Sequence, residues 1–334
     1  MNLDTLTRWI EAQTDLRGPF EAEKFASGQS NPTYKLTSPS GTYVLRRKPE
    51  GALLKSAHAV DREFRVQKAL ADTGVPVVRM HTLCEDDAVI GTAFYVMDHV
   101  EGRIFFDPGL PDATPDERGA IYDAMLQVLA AIHSVDLDQT GLGDYGPEGH
   151  YLARQLGRWT KQYRASETEP LPDMDALIAG LEAALPEDDG QRTLVHGDYR
   201  IDNLIFAPDA PRVSAVLDWE LSTTGHPYAD LAALVMQWQL PPGKVGRGLA
   251  GLDRARLGLP TDADAIARYC ALRGIDGIAD FNVYLAFAFF RMAAILQGVK
   301  KRGLDGNASN PEQAALYGSF VPVFAEKGRA ALNG

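Results

Sequence analysis

The chain has only two cysteines, Cys84 and Cys270, among its 334 residues, and they lie far apart in the sequence. Two distant cysteines cannot form a disulfide framework or a cysteine-based zinc site, so a reducing compartment, the cytoplasm, is the expected location. Residues 1–13 contain acidic side chains and no continuous apolar run, and we therefore expect no signal peptide there.

The chain also lacks an excess of positive charge and a long apolar run. It carries 33 basic and 45 acidic residues, a net charge of -12, and this excludes the basic surface that nucleic-acid binding requires. The most apolar segment, residues 281–299, is interrupted by Arg291 and therefore predicts a buried core helix and no membrane span. With 45% hydrophobic residues, the chain can nevertheless bury a substantial core.

The hydrophobic periodicity changes along the chain. Strand-like patterns joined by Gly, Ser, Asn and Pro occur at residues 21–26, 33–37, 42–47, 77–84 and 93–97, with one helical pattern at 57–73. After residue 103, helical patterns dominate at residues 115–134, 148–165, 172–185, 228–239, 262–273 and 281–302, and only residues 194–218 alternate like strands. The sequence therefore predicts an α+β protein, with a small antiparallel-sheet lobe at residues 1–98 and a larger, mainly helical lobe at residues 99–334. A cleft between the lobes is expected near residues 97–104.

The segment LVHGDYRIDN, residues 194–203, concentrates polar side chains in a loop between apolar strands. The strands predicted at 204–207 and 213–217 flank the turn PDAPR, so Asn203 and Asp218 should meet at the open end of a hairpin, near Asp198. A site with only a few protein oxygen ligands beside a cleft suits Mg²⁺, because this ion completes its coordination with phosphates and water. Two alternatives to a Mg²⁺ site remain. The residues could have ordinary turn or capping roles, or they could belong to the dinuclear metal centre of a phosphoesterase. The other histidines occur singly, which argues against the dinuclear centre.

The pattern H-x-D-x-x-x-x-N, followed by an aspartate after a hairpin, resembles the catalytic core shared by protein kinases and the aminoglycoside phosphotransferase and choline kinase-like enzymes. The segments FASGQSNPTYKL, YVLRRKP, HGDYRIDNLIF and VLDWELSTTGHPYADLA are similar to a bacterial and mitochondrial subgroup, whose domain is sometimes fused to an acyl-CoA dehydrogenase. The resemblance covers most of residues 20–300. It implies a bilobal protein-kinase-like fold and ATP- and Mg²⁺-dependent transfer of the γ-phosphoryl group to a hydroxyl of a small molecule.

The resemblance also implies catalytic roles. Asp198 would be the base that accepts or orients the substrate hydroxyl, while Asn203 and Asp218 would hold Mg²⁺. Arg200 would steady the charge on the transferred phosphoryl group, although a surface arginine is the plainer interpretation. His196 would orient the loop backbone.

The nucleotide-binding residues follow less directly, because the chain has neither a Walker-type loop nor a kinase glycine-rich loop. A turn of small polar residues can still cap phosphates through backbone N–H groups, although a simple hairpin turn is the alternative. The candidate residues for this turn are Ser27, Gly28, Ser30 and Asn31.

On the third strand, alignment with the family places Arg46 where related enzymes have their phosphate-binding lysine. Lys48, on the same strand face, is the alternative. Glu63 would be the helical partner that anchors this cation, and an exposed helical glutamate is the plainer interpretation. The backbone that contacts adenine is expected in Met97, Asp98 and His99.

Arg154, Arg158 and Lys161 recur at helical spacing and form a basic face in an acidic protein. This face could attract an anionic acceptor, which favours a hydroxyacyl thioester or another anionic metabolite over a polycationic aminoglycoside; a solvated surface with paired charges is the alternative. Asp230 resembles the family's structural aspartate, and a helix-start carboxylate explains it equally well.

A second class of function is a nucleotide-binding pseudokinase that acts as a sensor or scaffold. The presence of Asp198, Asn203 and Asp218 argues against it, because pseudoenzymes usually lose one such residue. The acceptor, the choice between ATP and GTP and the oligomeric state stay open.

Overall fold

The computed structural model describes residues 1–25, 31–49, 59–243, 245–308 and 310–334. These residues divide into two compact units. The first unit consists of Met1–Phe106, Asp123–Asp144 and His196–Ser222. The second consists of Asp107–Tyr122, Tyr145–Val195 and Thr223–Gly334. The lobe boundary between residues 98 and 99 stays a prediction.

The elements follow the predicted order closely. The strands are β1 (Glu21–Lys24), β2 (Thr33–Ser38), β3 (Gly41–Arg47), β4 (Met80–Cys84), β5 (Phe94–Asp98), β6 (Thr193–Val195), β7 (Leu204–Phe206), β8 (Val213–Val216) and β9 (Thr223–Gly225). The helices are α1 (Leu3–Gln13), α2 (Val60–Leu70), α3 (Asp87–Ile90), α4 (Pro115–His133), α5 (Tyr151–Ser166), α6 (Pro172–Ala184), α7 (Tyr228–Trp238), α8 (Arg254–Leu257), α9 (Asp262–Arg273), α10 (Phe281–Leu304), α11 (Pro311–Gly318) and α12 (Val321–Asn333). Two 3-10 helices cover Ile201–Asn203 and Trp219–Leu221.

The first unit contains a five-stranded antiparallel sheet in the order β1-β2-β3-β5-β4. Alternate residues of β3 and β5 point to opposite faces, as strand geometry requires. Leu45 and Val96 pack on the face that α1 covers, whereas Val44 and Met97 pack on the other face with Ile205 of β7. The second apolar cluster therefore joins the sheet to the segment that carries the predicted catalytic residues.

The predicted hairpin is formed by β7 and β8, with Leu204 opposite Val216. At its open end the backbone N–H of Leu217 donates to the carbonyl of Asn203 at 2.8 Å. The outer edge of β7 pairs with the segment that follows β5, because Arg103 and Phe206 exchange two backbone hydrogen bonds of 2.8 and 2.9 Å. β7 is thus hydrogen-bonded on both of its edges, to β8 on one side and to the segment after β5 on the other.

The second unit is built around α10, which packs against α5, α7, α11 and α12. By length and composition, α10 is the one helix of the described chain that could cross a membrane, but 56% of its most apolar window is buried inside the protein. A buried core helix passes the same test, and the packing of α10 agrees with that prediction. The short strands β6 and β9 form a separate antiparallel pair. The sequence predicted an apolar strand before the polar loop, where β6 lies, but it did not predict β9 or this pairing.

Candidate active site

His196 begins the predicted catalytic loop and is completely buried. Its Nε2 atom lies 2.9 Å from the carbonyl oxygen of Leu217, and its Nδ1 atom accepts from the backbone N–H of Asp198 at 3.3 Å. A carbonyl only accepts, so Nε2 carries the proton and Nδ1 is the acceptor. The ring packs against Trp219 at 4.8 Å between centroids. His196 therefore ties the loop to the end of β8 and has no free nitrogen for proton transfer.

Gly197 occupies a position that no larger residue fits. Its φ is +84°, in the left-handed region, and a Cβ atom there would lie 2.6 Å from the carbonyl oxygen of Leu221. Close approach between the catalytic loop and the segment after β8 therefore depends on a glycine in the HGD sequence.

The carboxylate of Asp198 is 38% exposed and is oriented by one neighbour. The Nδ2 atom of Asn203 donates to the backbone carbonyl of Asp198 at 2.8 Å and approaches its Oδ2 atom at 3.3 Å. Asn203 is buried, so this amide fixes both the loop and the carboxylate. Asp198 is accessible and held in place, as a general base must be.

Asp218 lies at the other side of the hairpin's open end, with φ 64° and ψ 56°. Aspartate and asparagine enter this left-handed region more readily than other non-glycine residues, and such strain often marks functional sites. Asp218 precedes the 3-10 helix Trp219–Leu221. The turn that follows β8 thus begins at the predicted metal ligand.

Arg46 of β3 is surrounded by three carboxylates. Its Nε atom lies 3.0 Å from Glu63 of α2, and its Nη2 atom lies 2.8 Å from Asp218 and 3.6 Å from Glu220. Asn31 donates to Glu63 at 3.0 Å and lies 3.4 Å from Glu220. β3, α2 and the turn after β8 therefore meet at one guanidinium group, and Asn31, which precedes β2, joins the same cluster through Glu63.

This cluster carries an excess of negative charge. Glu63 is almost fully buried, and burial raises its pKa to about 7 even though Arg46 and the hydroxyl of Tyr95 lower it. Burial by itself would lower the pKa of Arg46, but the charge of Glu63 and its neighbours raises it above the ordinary value. Three carboxylates around one permanent cation leave a local charge that a further cation would reduce.

The residues present fit Mg²⁺. Asn203 and Asp218 offer an amide and a carboxylate oxygen at the same end of the hairpin, next to that unbalanced charge. The described part of the chain has no group of three or more His, Cys, Asp or Glu side chains able to hold a metal alone. Mg²⁺ commonly uses one or two protein ligands and completes its shell with substrate phosphates and water, so this small set is sufficient.

A model described as the phosphotransferase enzyme family, APH, matches residues 21–269. The chain belongs to this phosphotransferase family.

Two curated relatives place this phosphotransferase domain in longer proteins. It is 50% identical over 97% of its length to acyl-CoA dehydrogenase family member 10 of Mus musculus. It is 44% identical over 91% of its length to acyl-CoA dehydrogenase family member 11 of Homo sapiens. The matched regions are only 30% and 39% of those proteins, so the chain spans between about three and four tenths of the relatives' length.

Solved structures confirm the predicted α+β, protein-kinase-like fold with its antiparallel N-terminal sheet. A Ralstonia eutropha protein assigned to the aminoglycoside phosphotransferases is 48% identical, with coverage of 99% and 98% of the two chains and a TM-score of 0.92. Spectinomycin phosphotransferase APH(9)-Ia, in complex with ADP and spectinomycin, is 12% identical, with coverage of 98% and 99% and a TM-score of 0.65. At that identity the second likeness shows the fold alone.

Several predicted site residues of this phosphotransferase have contacts that the sequence did not specify. Lys48 lies outside the Arg46 cluster, with its Nζ atom 3.6 Å from Asp61. Arg200 is partly exposed, and its Nη2 atom lies 2.6 Å from Asp202, while its Nε atom is 3.9 Å from Asp198. Arg200 is thus held beside the carboxylate of Asp198 and is more than an isolated surface arginine.

Some backbone groups of the predicted adenine-binding segment already have hydrogen-bond partners within the protein. Met97 lies in β5 opposite Val44 and Met80, in a strand with neighbours on both edges. The backbone N–H groups of Asp98 and His99 donate to the carbonyls of Arg79 and Thr42 at 3.0 and 3.4 Å. A nucleotide base would therefore need other backbone groups of this segment than those two N–H donors.

The predicted phosphate-capping turn is described only at Asn31, because Ser27, Gly28 and Ser30 lie outside the described residues. The side chain of Asn31 is buried and bonded to Glu63, so its role is to join elements of the cluster. The prediction concerned only the backbone N–H groups of this turn and did not include this side-chain contact.

The basic face on α5 is divided in two. Arg154 donates to the carbonyls of Glu148 and Gly149 at 2.6 and 3.1 Å, so its guanidinium closes the preceding loop. Arg158 and Lys161 are exposed. The charge that this helix presents to solvent therefore comes mainly from Arg158 and Lys161.

Asp230 lies in the first turn of α7 and is buried. Its placement suits a helix-start carboxylate, and its predicted structural role toward the catalytic loop stays a prediction.

The sequence interpretation missed three residues around the site. Glu220 lies against Arg46, Tyr95 donates to Glu63 at 2.9 Å, and Asp202 pairs with Arg200. The only signal for Glu220 was its position two residues after Asp218 in the sequence LDWE. Tyr95 looked like an ordinary strand residue, because its hydroxyl partner lies 32 residues away.

Proposed function

We propose that this phosphotransferase is an ATP- and Mg²⁺-dependent kinase that transfers the γ-phosphoryl group to a hydroxyl of a small molecule. The observation that carries the proposal is the partly exposed Asp198 carboxylate, oriented by Asn203, in the same unit as Asp218 and the Arg46–Glu63 pair. These are the base, metal-ligand and phosphate-binding positions that phosphoryl transfer requires.

In the proposed reaction, the acceptor oxygen forms a bond to the γ-phosphorus while the bond from that phosphorus to the β,γ-bridging oxygen breaks. The hydroxyl proton passes to Asp198, and ADP leaves with the bridging oxygen. Arg200, held beside Asp198 by Asp202, is positioned to steady charge on the transferred group.

Arg46 is the proposed phosphate-binding cation, because it pairs with Glu63, which also accepts from Tyr95, while Lys48 is engaged with Asp61. Asn203 and Asp218 would hold Mg²⁺, which would neutralise charge on the ATP phosphates. The net negative charge of the cluster supports a divalent cation there, because the carboxylates of Glu63, Asp218 and Glu220 surround a single guanidinium group.

For the acceptor we propose a hydroxyacyl thioester or another anionic hydroxylated metabolite. The exposed Arg158 and Lys161 support an anionic group, and the relatives named acyl-CoA dehydrogenases support an acyl thioester. The likeness to the Ralstonia eutropha protein assigned to the aminoglycoside phosphotransferases supports an aminoglycoside as the alternative acceptor. The acidic net charge makes a nucleic-acid partner implausible, and we propose a cytoplasmic protein without a membrane span.

The proposal is tested by screening acceptors with γ-³²P-labelled ATP and Mg²⁺, using hydroxy acids, hydroxyacyl-CoA thioesters and spectinomycin. Labelled product from one class identifies the acceptor. A Mg-ATP-dependent rise in Tm without labelled product from any acceptor would instead support the pseudokinase, and it would contradict the kinase.

A further inference from the structure

The 3-10 helix Trp219–Leu221 sends its three side chains to three different surroundings. Trp219 is completely buried and packs on His196. Glu220 turns to Arg46 and Asn31. Leu221 is 51% exposed and, among the residues that the structure describes, is one of the few large hydrophobic side chains with so much exposed surface. The turn therefore uses two residues for the site and presents the third to solvent.

Leu221 lies directly beside the catalytic loop. A Cβ atom built on Gly197 would lie 3.1 Å from the Cβ of Leu221 and 2.6 Å from its carbonyl oxygen. Gly197 immediately precedes Asp198 in the chain. The isobutyl group of Leu221 consequently starts next to the residue that carries the proposed base.

The turn that holds Leu221 is fixed by several hydrogen bonds. The backbone N–H and the hydroxyl of Ser222 both reach the carbonyl of Trp219, at 3.0 and 2.5 Å. Arg62 of α2 lies 3.4 Å from the carbonyl of Ser222. Since the backbone is held on both sides, Leu221 cannot be buried by a small backbone adjustment.

Single exposed leucines are common on protein surfaces and usually need no explanation. This one differs because it packs against Gly197, the residue before the proposed base, in a segment whose neighbouring residues are buried or ion-paired. Removing apolar surface from water is favourable, so a ligand carbon placed here would gain affinity, whereas a hydroxyl or ammonium group would not.

We propose that Leu221 is a specificity-determining residue that contacts the apolar part of the acceptor next to the hydroxyl that is phosphorylated. The acceptor class is then an amphipathic alcohol, with alkyl carbons bonded close to the reacting hydroxyl, and a polyhydroxylated amino sugar is disfavoured. This inference depends on the proposed kinase function and adds the substrate class to it.

The test compares wild type, Leu221→Asn and Leu221→Met with Mg-ATP and two kinds of probe. One is a series of hydroxy fatty acids and hydroxyacyl-CoA thioesters of increasing chain length beyond the hydroxyl, and the other is spectinomycin. We expect kcat/KM of the wild type to rise with chain length. Leu221→Asn should lose about 5- to 20-fold in kcat/KM for the longer members, mainly through KM, and Leu221→Met should retain most of it.

The matched control is Leu316→Asn, the same exchange at a 45% exposed leucine on α11. It should leave all kinetic constants unchanged, and the KM for ATP and the Tm should be the same in every variant. Transfer by the wild type without chain-length preference, or equal kcat/KM in Leu221→Asn, would overturn the role of Leu221 while leaving the kinase function intact. No transfer to any probe would overturn the proposed function and this role with it.

Discussion

At the scale of single residues, the site depends on one arginine shared by several acids. Arg46 contacts Glu63, Asp218 and Glu220, and 172 residues separate it from Asp218 in the chain. Removing one partner of a buried ion pair leaves an uncompensated charge, which is usually strongly destabilising. Conservative exchanges that keep the shape of the partner are therefore the informative ones.

Glu63 should make the stability of the protein depend on pH. Its pKa is raised from 4.5 to about 7 in the folded state, chiefly by burial. A raised carboxyl pKa contributes stability that is fully present below the unfolded pKa and is lost as the pH rises through the folded pKa. Relative to Glu63→Gln, wild type should therefore lose on the order of 1–3 kcal/mol of unfolding free energy between pH 5 and pH 8.

Urea unfolding of wild type and Glu63→Gln across that pH range measures the difference. Glu312→Gln, the same exchange on the exposed surface of α11, controls for the chemistry of the substitution. A constant difference between wild type and Glu63→Gln at all pH values would show that Glu63 does not titrate there.

Asp218 combines a strained backbone with a carboxylate, and the two can be separated. Asp218→Asn should tolerate the left-handed conformation and keep the size of the side chain, but it loses the charge. We expect Mg-ATP affinity, measured by isothermal titration, to fall by about 10-fold or more in Asp218→Asn and in Asp218→Ala. Nucleotide affinity measured without Mg²⁺ should change much less. Unchanged Mg-ATP affinity in both variants would mean that the metal is held elsewhere.

At the scale of elements, the β7–β8 hairpin is held by the segment after β5. Arg103 and Phe206 exchange backbone hydrogen bonds, and a Cβ atom on Gly102 would lie 2.3 Å from the carbonyl oxygen of Phe206. Only a glycine allows the two backbones to approach so closely. The position of β7, and with it Asn203, depends on this contact.

Gly102→Ala should therefore destabilise the protein by about 1–3 kcal/mol, as overpacking does, and should lower phosphoryl transfer by displacing Asn203. Gly157→Ala is the matched control. Gly157 is exposed in α5 with no atom within 4 Å of an added Cβ, so the same exchange should stabilise by about 0.5–1 kcal/mol. Thermal unfolding of both variants measures whether each exchange lowers or raises the stability of the protein. Equal effects of the two exchanges would show that the Gly102 contact is unimportant.

Which elements were predictable from sequence follows from their length and pattern. The β7–β8 hairpin was predictable because two apolar strands flank a proline-containing turn. Helices α11 and α12 were not predicted. Each contains a proline, Pro311 or Pro322, which interrupts a helical pattern in sequence but is compatible with the first turn of a helix. Strand β9, Thr-Thr-Gly, contains no apolar side chain and therefore gives no strand signal in the sequence.

The residues of the site likewise divide into those that were predictable from the sequence and those that were not. Asp198, Asn203 and Asp218 share a spacing that the hairpin converts directly into proximity. Glu220 joins Arg46 only because Asp218 adopts a left-handed conformation and the chain then turns in a 3-10 helix. Such backbone detail is not encoded in hydrophobic periodicity, so the charge balance of the cluster was not predictable.

At the scale of the whole molecule, charge sets how an anionic acceptor would approach. The chain has a net charge of -12, yet Arg158 and Lys161 of α5 present positive charge to solvent. If they attract the acceptor, Arg158→Glu should raise the acceptor KM and leave the ATP KM unchanged, because only ground-state binding is removed. The difference should shrink with added salt, since surface charges are screened over ~8–10 Å.

Steady-state kinetics at low and high salt give the answer once labelling has identified an acceptor. Arg164→Glu is a useful control, because Arg164 lies on the same helix but is already paired with Glu167 and Asp175. Equal acceptor KM values in wild type and Arg158→Glu would make α5 an ordinary solvated surface. The argument for an anionic acceptor would then depend on the relatives alone.

The most direct test of the kinase function is the rate of phosphoryl transfer by wild type and Asp198→Asn, measured with γ-³²P-labelled ATP and the best acceptor. The exchange keeps the shape of the side chain and removes the base, so we expect turnover to fall by about 10²–10⁴-fold. Mg-ATP affinity should stay within about twofold, because the base makes little contact with the nucleotide. A variant that keeps more than about a tenth of wild-type turnover would contradict the catalytic role of Asp198 and the mechanism built on it.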